Sequence, residues 1–381
     1  MRVIGLMSGT SLDGIDAALI ELVPSGPGYA VELKRFVTVP FGEELYAQLR
    51  DALPPNVANV STAASLHRRL GDALADAAAT VAGGRIDFVA SHGQTIWHDG
   101  ANASTVQVGD PYVVRDRIGA TVCFDFRGAD CAAGGHGAPL VPYVDALLFS
   151  HPLEDRVAIN IGGIANVTVL ARGSGSVSCA YDTGPGNMLL DAFVRSRSNG
   201  HLTMDRDGVL AARGTVDREL LAAMSTDAYF ALLPPKSTGR EYFAERFLAK
   251  HDARLRALAD ADGAATLAEL TARTVADAIA ATAFAAPRVI VSGGGSRNPD
   301  LMARLRRNAP HARVDTSDDH AVSSDAKEAI VFAILGYETL RGRPANVPAA
   351  TGAREATVLG AIAPHRLSEL MARMERECRS T

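Results

Sequence analysis

Three glycine-bearing corners in this chain combine small residues with hydroxyls, amides and carboxylates in a way that suits phosphate groups. The first is "MSGTSLDGID". Gly9 lets the backbone approach an anion, and the amides and hydroxyls of Ser8, Thr10 and Ser11 can donate to its oxygens. Leu12, Gly14 and Ile15 complete the run. Asp13 and Asp16 offer the oxygen ligands that magnesium prefers, directly or through the waters it retains. The same stretch also reads as an ordinary Asp-Gly hairpin turn. The second corner, "NIGGIANVT", repeats the plan with Gly162, Gly163 and Asn166, again without a lysine. The third, "VIVSGGGSRN", delivers Gly293, Gly294 and Gly295 to a helix start, where a flat ring can lie on bare backbone or a plain loop can turn.

Other residues add acid, base and charge. Asp182 in "YDTGPGN" stands where a strand runs into a Gly-Pro-Gly loop, so its carboxylate either projects outward or caps the loop. Glu328 in "DAKEAIVF" leads into a long apolar helix face, where burial would raise its pKa, or it caps the helix start. Arg127 in "FDFRGAD" can pair with an anionic ligand or with Asp125 or Asp130. His92 and His98 bracket Gln94 in "SHGQTIWH"; without a carboxylate nearby they do not make a metal site, so one is expected to touch a ligand and the other to be structural. Trp97 stacks on a sugar face or packs in a core. "LLPPKSTGREYF", with Lys236, Ser237, Thr238 and Arg240, reaches either the site or a second subunit. The common nucleotide, hydrolase and zinc-protease motifs are absent.

Periodicity supplies the elements that must hold these residues. "RVIGLMS" and "IDAALIEL" predict a hairpin and "YAVELKRFVTVP" a third strand. "STAASLHRRLGDALADAAATVAGG" predicts a helix closed by glycines, and "IDFVASHGQTIWH" a buried strand running into a polar loop. Asp110 caps a short helix with Pro111 in its first turn, and "TVCFDF" is a strand. The plan then restarts with "RVAINIGGIANVTVL" and "VSCAYDTGPGN", a weak internal duplication. Helices follow, then "RVIVSGGG" as a strand, "NPDLMARLRRN" as a helix, and "DAKEAIVFAILGYETLR" as a helix buried between layers. Residues 341–356 read as an irregular linker. The expectation is a doubly wound α/β protein with a first domain over 1–135, completed by 357–381, and a second over 136–356.

A chain of 381 residues exceeds what one core usually serves, which favours two domains. With 47% hydrophobic and 21% charged residues it reads as globular rather than disordered. A net charge of -5 leaves no electrostatic footprint for nucleic acid. There is no basic leader with an apolar run and no long apolar stretch, so a soluble, cytoplasmic protein with no membrane partner is expected. Cys123, Cys131, Cys179 and Cys378 lack the spacing of a zinc site or a disulfide framework.

The opening hairpin, the "NIGGIAN" corner and the "SGGG" turn, in this order, resemble the two phosphate loops and the adenosine loop of the actin-like ATPase superfamily. A longer series, "GLMSGTSLDGID", "SHGQTIWH", "QVGDP", "FDFRGAD", "GGHGAPLVP", "NIGGIANVTVL", "DTGPGNMLLD", "PPKSTGREYF" and "SSDAKEAIVFAIL", resembles the anhydro-N-acetylmuramic acid kinase family over Gly5 to about Leu340. The resemblance implies two actin-like, ribonuclease H-like domains with mixed sheets flanked by helices and a cleft between them that closes on substrate. It implies ATP and Mg2+, a homodimer, and an amino-sugar substrate, 1,6-anhydro-N-acetylmuramic acid. Water opens the anhydro bridge of that sugar while the γ-phosphate passes to the freed 6-oxygen. By the same resemblance Asp182 is the general base and Glu328 assists it; with a sugar as substrate, Gln94 can hydrogen-bond its hydroxyls, and His92, Gly184 and Asn187 are expected at the same site. The lactyl carboxylate is the natural anion for Arg127 on physical grounds. His136 stands where the family pattern suggests Gln, which bears on the sugar pocket. A kinase of another anhydrosugar, such as levoglucosan, and a non-catalytic ATP switch are the competing readings.

Overall fold

The computed structural model describes residues 1–25, 28–54, 58–239 and 241–380, and not the side chains of 241, 244, 245 and 378–380. Arg240 and part of the turn predicted at "VPSGPG" therefore lie outside the described residues. The chain folds as two compact units, Met1–Leu148 with Ala326–Thr381, and Phe149–Asp325.

In the first unit β1 (Arg2–Ser8), β2 (Ile15–Ser25) and β3 (Gly28–Val39) form an antiparallel meander. β1 also pairs in parallel with β4 (Phe88–Asp99); β5 (Ser104–Val108) pairs antiparallel with β4, and β6 (Thr121–Phe124) parallel with it. Strand Ala361–Ala363 closes the far edge beside β6. β1 alternates as a doubly covered strand must. Ile4 and Leu6 join the core beneath helix Val60–Val81 with Leu66, Leu70 and Leu74, whereas Val3 and Met7 join the core around helix Lys327–Arg341 with Ala329, Ile330 and Ala333.

That second helix is buried along almost its whole length and lies directly on the sheet. Glycine permits the approach: a Cβ at Gly5 would overlap the Ala329 carbonyl oxygen, and one at Gly336 would stand 2.7 Å from the Ala90 Cβ. Gly5→Ala is therefore expected to cost about 1–3 kcal/mol by overpacking, read as a lower thermal midpoint. Gly9→Ala, where the added carbon meets nothing closer than 3.8 Å, leaves that midpoint unchanged.

The polar tail of "IDFVASHGQTIWH" is not a loop. β4 bends at Gly93 (φ 69°), where a Cβ would meet the Val108 carbonyl, and continues to Asp99 paired with β5. Residues 341–356 are likewise no linker. They contain helix Pro348–Thr351, and the buried Asn346 and Thr351 donate to Asp130 Oδ1 at 2.7 and 2.8 Å.

The second unit repeats the plan. β7 (Arg156–Ile161), β8 (Ile164–Leu170) and β9 (Cys179–Pro185) form an antiparallel meander, and β7 pairs in parallel with β10 (Arg288–Ser292), which pairs in parallel with β11 (Arg313–Thr316). The order β11-β10-β7-β8-β9 matches β6-β4-β1-β2-β3, so the duplication glimpsed in the sequence is a duplication of topology. Helices Asp260–Ala281 and Pro299–Asn308 pack on this sheet through Val275, Ile279, Leu301 and Leu305. The mixed α/β class expected is the one observed.

The expected domain limits at 135/136 and 356/357 differ from the limits of the units. Helix Val141–Phe149 brings Val144 into the first unit's core, and Lys327–Arg341 is the centre of that core. Among the described residues no helix is long and apolar enough to cross a membrane.

Candidate active site

In the first unit the parallel strands β1, β4 and β6 all run toward one edge, where crossover connections leave ligand positions in open α/β sheets. The corner joining β1 to β2 is pinned from below. Leu12, at φ 58°, is buried, its N–H reaches the Gly9 carbonyl at 3.1 Å, and Gly14 takes a φ of 150° that brings it against the Val39 carbonyl. Thr10 and Ser11 stay exposed. Asp16 accepts from Thr38 Oγ1 at 2.6 Å; burial raises its pKa and the nearby Asp13 raises it further. Two carboxylates beside an open corner are a chemically suitable pair for a hard cation that keeps waters and phosphate oxygens in its shell. Among the described residues no group of three or more metal-ligating side chains is found.

Two of the side chains assigned to the sugar face inward instead. Gln94 is fully buried, and its Oε1 accepts from Ser8 Oγ at 2.5 Å, so it ties β4 to the phosphate-type corner. His92 is buried against Phe332, its Nδ1 donates to the Gly93 carbonyl at 2.9 Å, and its Nε2 accepts from Arg127 Nε at 3.0 Å. Burial, and then the Arg127 charge, push its pKa down to about 3, so the ring is neutral and both nitrogens are committed. Of the two histidines, His98 is the exposed one; its Nδ1 lies 3.1 Å from Thr105 Oγ1, and desolvation with the Arg127 and His136 charges lowers its pKa.

Arg127 donates from Nη1 to the Gly137 carbonyl at 2.8 Å and makes no ion pair among the described residues. The alternative partners are engaged elsewhere: Asp130 with Asn346, Thr351 and the Gly137 N–H, and Asp125 with the Gly128 N–H. Desolvation lowers the Arg127 pKa, and Glu328 is the main opposing charge. Glu328 keeps solvent access at the start of helix Lys327–Arg341 but lies in crowded surroundings; desolvation raises its pKa, Asp16 adds to the rise, and Arg127 and Lys327 oppose it. Lys327 anchors that first turn through a buried 2.7 Å pair with Asp145. No side-chain cap hydrogen bond closes this helix start.

In the second unit three stretches far apart in sequence meet at the end of β7. The carbonyls of Gly162 and Gly163 accept from the Asn187 and Gly186 N–H groups, both at 2.8 Å, and a Cβ at Gly186 would overlap the Gly162 oxygen. Gly293 (φ 79°) and Gly295 pack against Ile161, while Gly294 stays open with Asn187 Nδ2 nearest at 3.8 Å. Asn187, assigned to the sugar, thus sits with the phosphate-type corner and the glycine triplet. Gly184 is buried, its φ of 144° and missing Cβ accommodating Phe230.

Cross-strand register sets Asn160 opposite Asn166 and Asn166 opposite Asp182, so the three share one face of the sheet. Asn160 heads the "NIGGIANVT" run, and pairing register gives it this face. Asp182 is held on every side. Its N–H donates to the Lys236 carbonyl at 3.1 Å, its carbonyl accepts from Tyr229 Oη at 2.7 Å, and its Oδ2 accepts from the Thr238 N–H at 2.9 Å. Desolvation, opposed by that N–H, pushes its pKa up to about 6. The "PPKSTG" segment therefore belongs to the surroundings of Asp182.

Two units of one topology, each turning its first hairpin at a glycine corner, define the class: a duplicated α/β protein with such a corner in each half. The match is more specific than that. The family model "Anhydro-N-acetylmuramic acid kinase" fits residues 1–365, and the chain belongs to this family. It is 43% identical over 373 residues to the anhydro-N-acetylmuramic acid kinase of Streptomyces coelicolor, covering 96% of this chain and 94% of that one. It is 41% identical over 382 residues to the protein of that name from Caldanaerobacter subterraneus, covering 94% and 96%. Weaker likenesses among solved structures include the (R)-2-hydroxyglutaryl-CoA dehydratase component A of Acidaminococcus fermentans (13% identity, TM-score 0.45, 89% and 98% covered). A ROK family glucokinase from Streptomyces griseus in complex with glucose and AMPPNP is similar at 13% identity and TM-score 0.39, with 89% and 100% covered.

Proposed function

We propose that this enzyme opens the 1,6-anhydro ring of 1,6-anhydro-N-acetylmuramic acid with water and phosphorylates the freed 6-oxygen from ATP, giving N-acetylmuramic acid 6-phosphate and ADP. Family membership establishes the kinase class; the observation that carries the mechanism is the desolvated, tightly held Asp182 carboxyl. A base with a pKa near 6 is charged at neutral pH yet more basic than a free carboxylate, which suits proton removal from water.

Asp182 takes a proton as the water oxygen bonds to the anomeric carbon, and the bond from that carbon to O6 breaks. The O6 electron pair forms the bond to the γ-phosphorus, and the bridge to ADP breaks. Coupling the two events avoids an unstabilised alkoxide leaving group. Glu328, also raised in pKa, assists in orienting the reacting oxygen. Arg127 binds the lactyl carboxylate with the part of its guanidinium that His92 and Gly137 leave over. The corners at Gly9–Asp16 and Gly162–Asn166 bind the donor phosphates, and the Gly293–Gly295 turn takes the adenosine. Asp13 and Asp16 would hold Mg2+, which neutralises phosphate charge when bound. A second copy of the chain is the proposed protein partner, and the cytoplasm the proposed location.

ADP release measured with 1,6-anhydro-N-acetylmuramic acid, levoglucosan and N-acetylmuramic acid tests the reading. Turnover with the first alone is expected. Preference for levoglucosan would move the substrate, and sugar-independent turnover would favour an ATP switch.

A further inference from the structure

Thr238 carries a hydroxyl that the chemistry proposed for Asp182 does not use. Its N–H is spent on Asp182 Oδ2, while its Oγ1 is shut off from solvent and has no hydrogen-bond partner among the described residues. A buried hydroxyl without a partner is destabilising, so its retention beside a reacting carboxyl calls for a reason. The segment that carries it is not loose. Lys236 Nζ lies over the Tyr229 ring at 4.9 Å and reaches the Tyr229 carbonyl at 3.3 Å, and Tyr229 and Lys236 both hold the Asp182 backbone.

We propose that Thr238 is the positioning residue of the general base, its hydroxyl turning about the side-chain bond onto the Asp182 carboxylate when that group is charged and leaving it when it is protonated. The amide nitrogen and the hydroxyl oxygen of a threonine are bonded to its adjacent Cα and Cβ, so both can address one carboxylate, which has lone pairs to spare. A charged acceptor strengthens the bond. The hydroxyl thereby favours the charged base and fixes which oxygen stays free for water. The other titratable groups around Asp182 in its unit do not compete for the carboxylate: Tyr229 is engaged with the Asp182 main chain, Lys236 with carbonyls at 229 and 230, and Tyr181 lies under the Lys236 ammonium.

The inference rests on Asp182 being the base, and the test separates the two. Sugar kcat/KM is measured from acid to alkaline pH for wild type, Thr238→Val, Thr238→Ser and Asp182→Asn, with folding checked by circular dichroism. Loss of the hydroxyl raises the base's pKa, so the acid limb of Thr238→Val moves to higher pH. On that limb the variant is expected to be slower by about tenfold for every pH unit the limb moves, with the gap closing as pH rises past it. Thr238→Ser restores the wild-type profile. A Thr238→Val deficit equal at all pH values, no deficit, or no rescue by serine overturns the proposal while a dead Asp182→Asn keeps the base reading. An active Asp182→Asn overturns both.

Discussion

Asp182→Asn lowers kcat for the anhydrosugar by roughly 10²–10⁴-fold, the usual contribution of a positioned general base, and leaves the affinity for the nucleotide unchanged. Asparagine keeps the size of the side chain and can still accept from the Thr238 N–H, so the strap of residues 229–238 stays in place. What is lost is the capacity to take a proton from water. The same chemistry fixes the pH dependence. Burial raises the carboxyl to about 6 with the Thr238 hydroxyl unengaged, so wild-type kcat/KM should show its acid limb above the ordinary aspartate range and, with the hydroxyl engaged, below that value, the active charged form being lost as pH falls through the limb. A limb near the ordinary aspartate value would mean that the working base is a different, better solvated group.

Arg127→Met raises the KM for 1,6-anhydro-N-acetylmuramic acid by about 10- to 150-fold, corresponding to the about 1.5–3 kcal/mol of a hydrogen bond to a charged group. Levoglucosan, which has no carboxylate, serves as the control and should bind as weakly to the variant as to wild type. The reasoning lies in the bonding. Arg127 is desolvated, His92 holds its Nε, the Gly137 carbonyl holds Nη1, and no carboxylate among the described residues forms an ion pair with it. A guanidinium kept in place but unpaired is prepared for an anion from outside. Removing it also takes away an opposing charge from Glu328, whose pKa should rise further, so kcat falls too, though by less than KM rises. Equal losses for both sugars would make Arg127 a structural residue.

The corners were legible in the sequence because glycine conformations and the apolar strands beside them are local properties: Gly14, Gly162 and Gly293 lie at the turns that the residue pattern predicts. The repeated hairpin plan was legible for the same reason. What depends on distant packing was not. "SHGQTIWH" looks like a polar loop, yet β5 pairs with it from Gln94 onward, and Gln94 and His92 are buried with bonds to Ser8 and Arg127. Residues 341–356 have the composition of a linker, but the buried Asp130 gathers Asn346 and Thr351 around it. The unit limits shifted because the helix from Lys327 needs Gly5 of β1 and its own Gly336 to lie flat on the first sheet. Asn160 and Thr238 lie in the "NIGGIAN" and "PPKSTG" runs that the sequence marks, but their placement beside Asp182 comes from cross-strand register and a single backbone bond.

The central claim is that water opens the anhydro ring while the phosphoryl group goes to the sugar, and a reaction run briefly in water enriched in oxygen-18 tests it directly. Mass spectrometry of the earliest product is expected to find one heavy oxygen on the anomeric carbon of N-acetylmuramic acid 6-phosphate and none in the phosphoryl group, with one ADP formed per sugar consumed. Heavy oxygen in inorganic phosphate with the anhydrosugar left intact would contradict the account and leave ATP hydrolysis as the reaction.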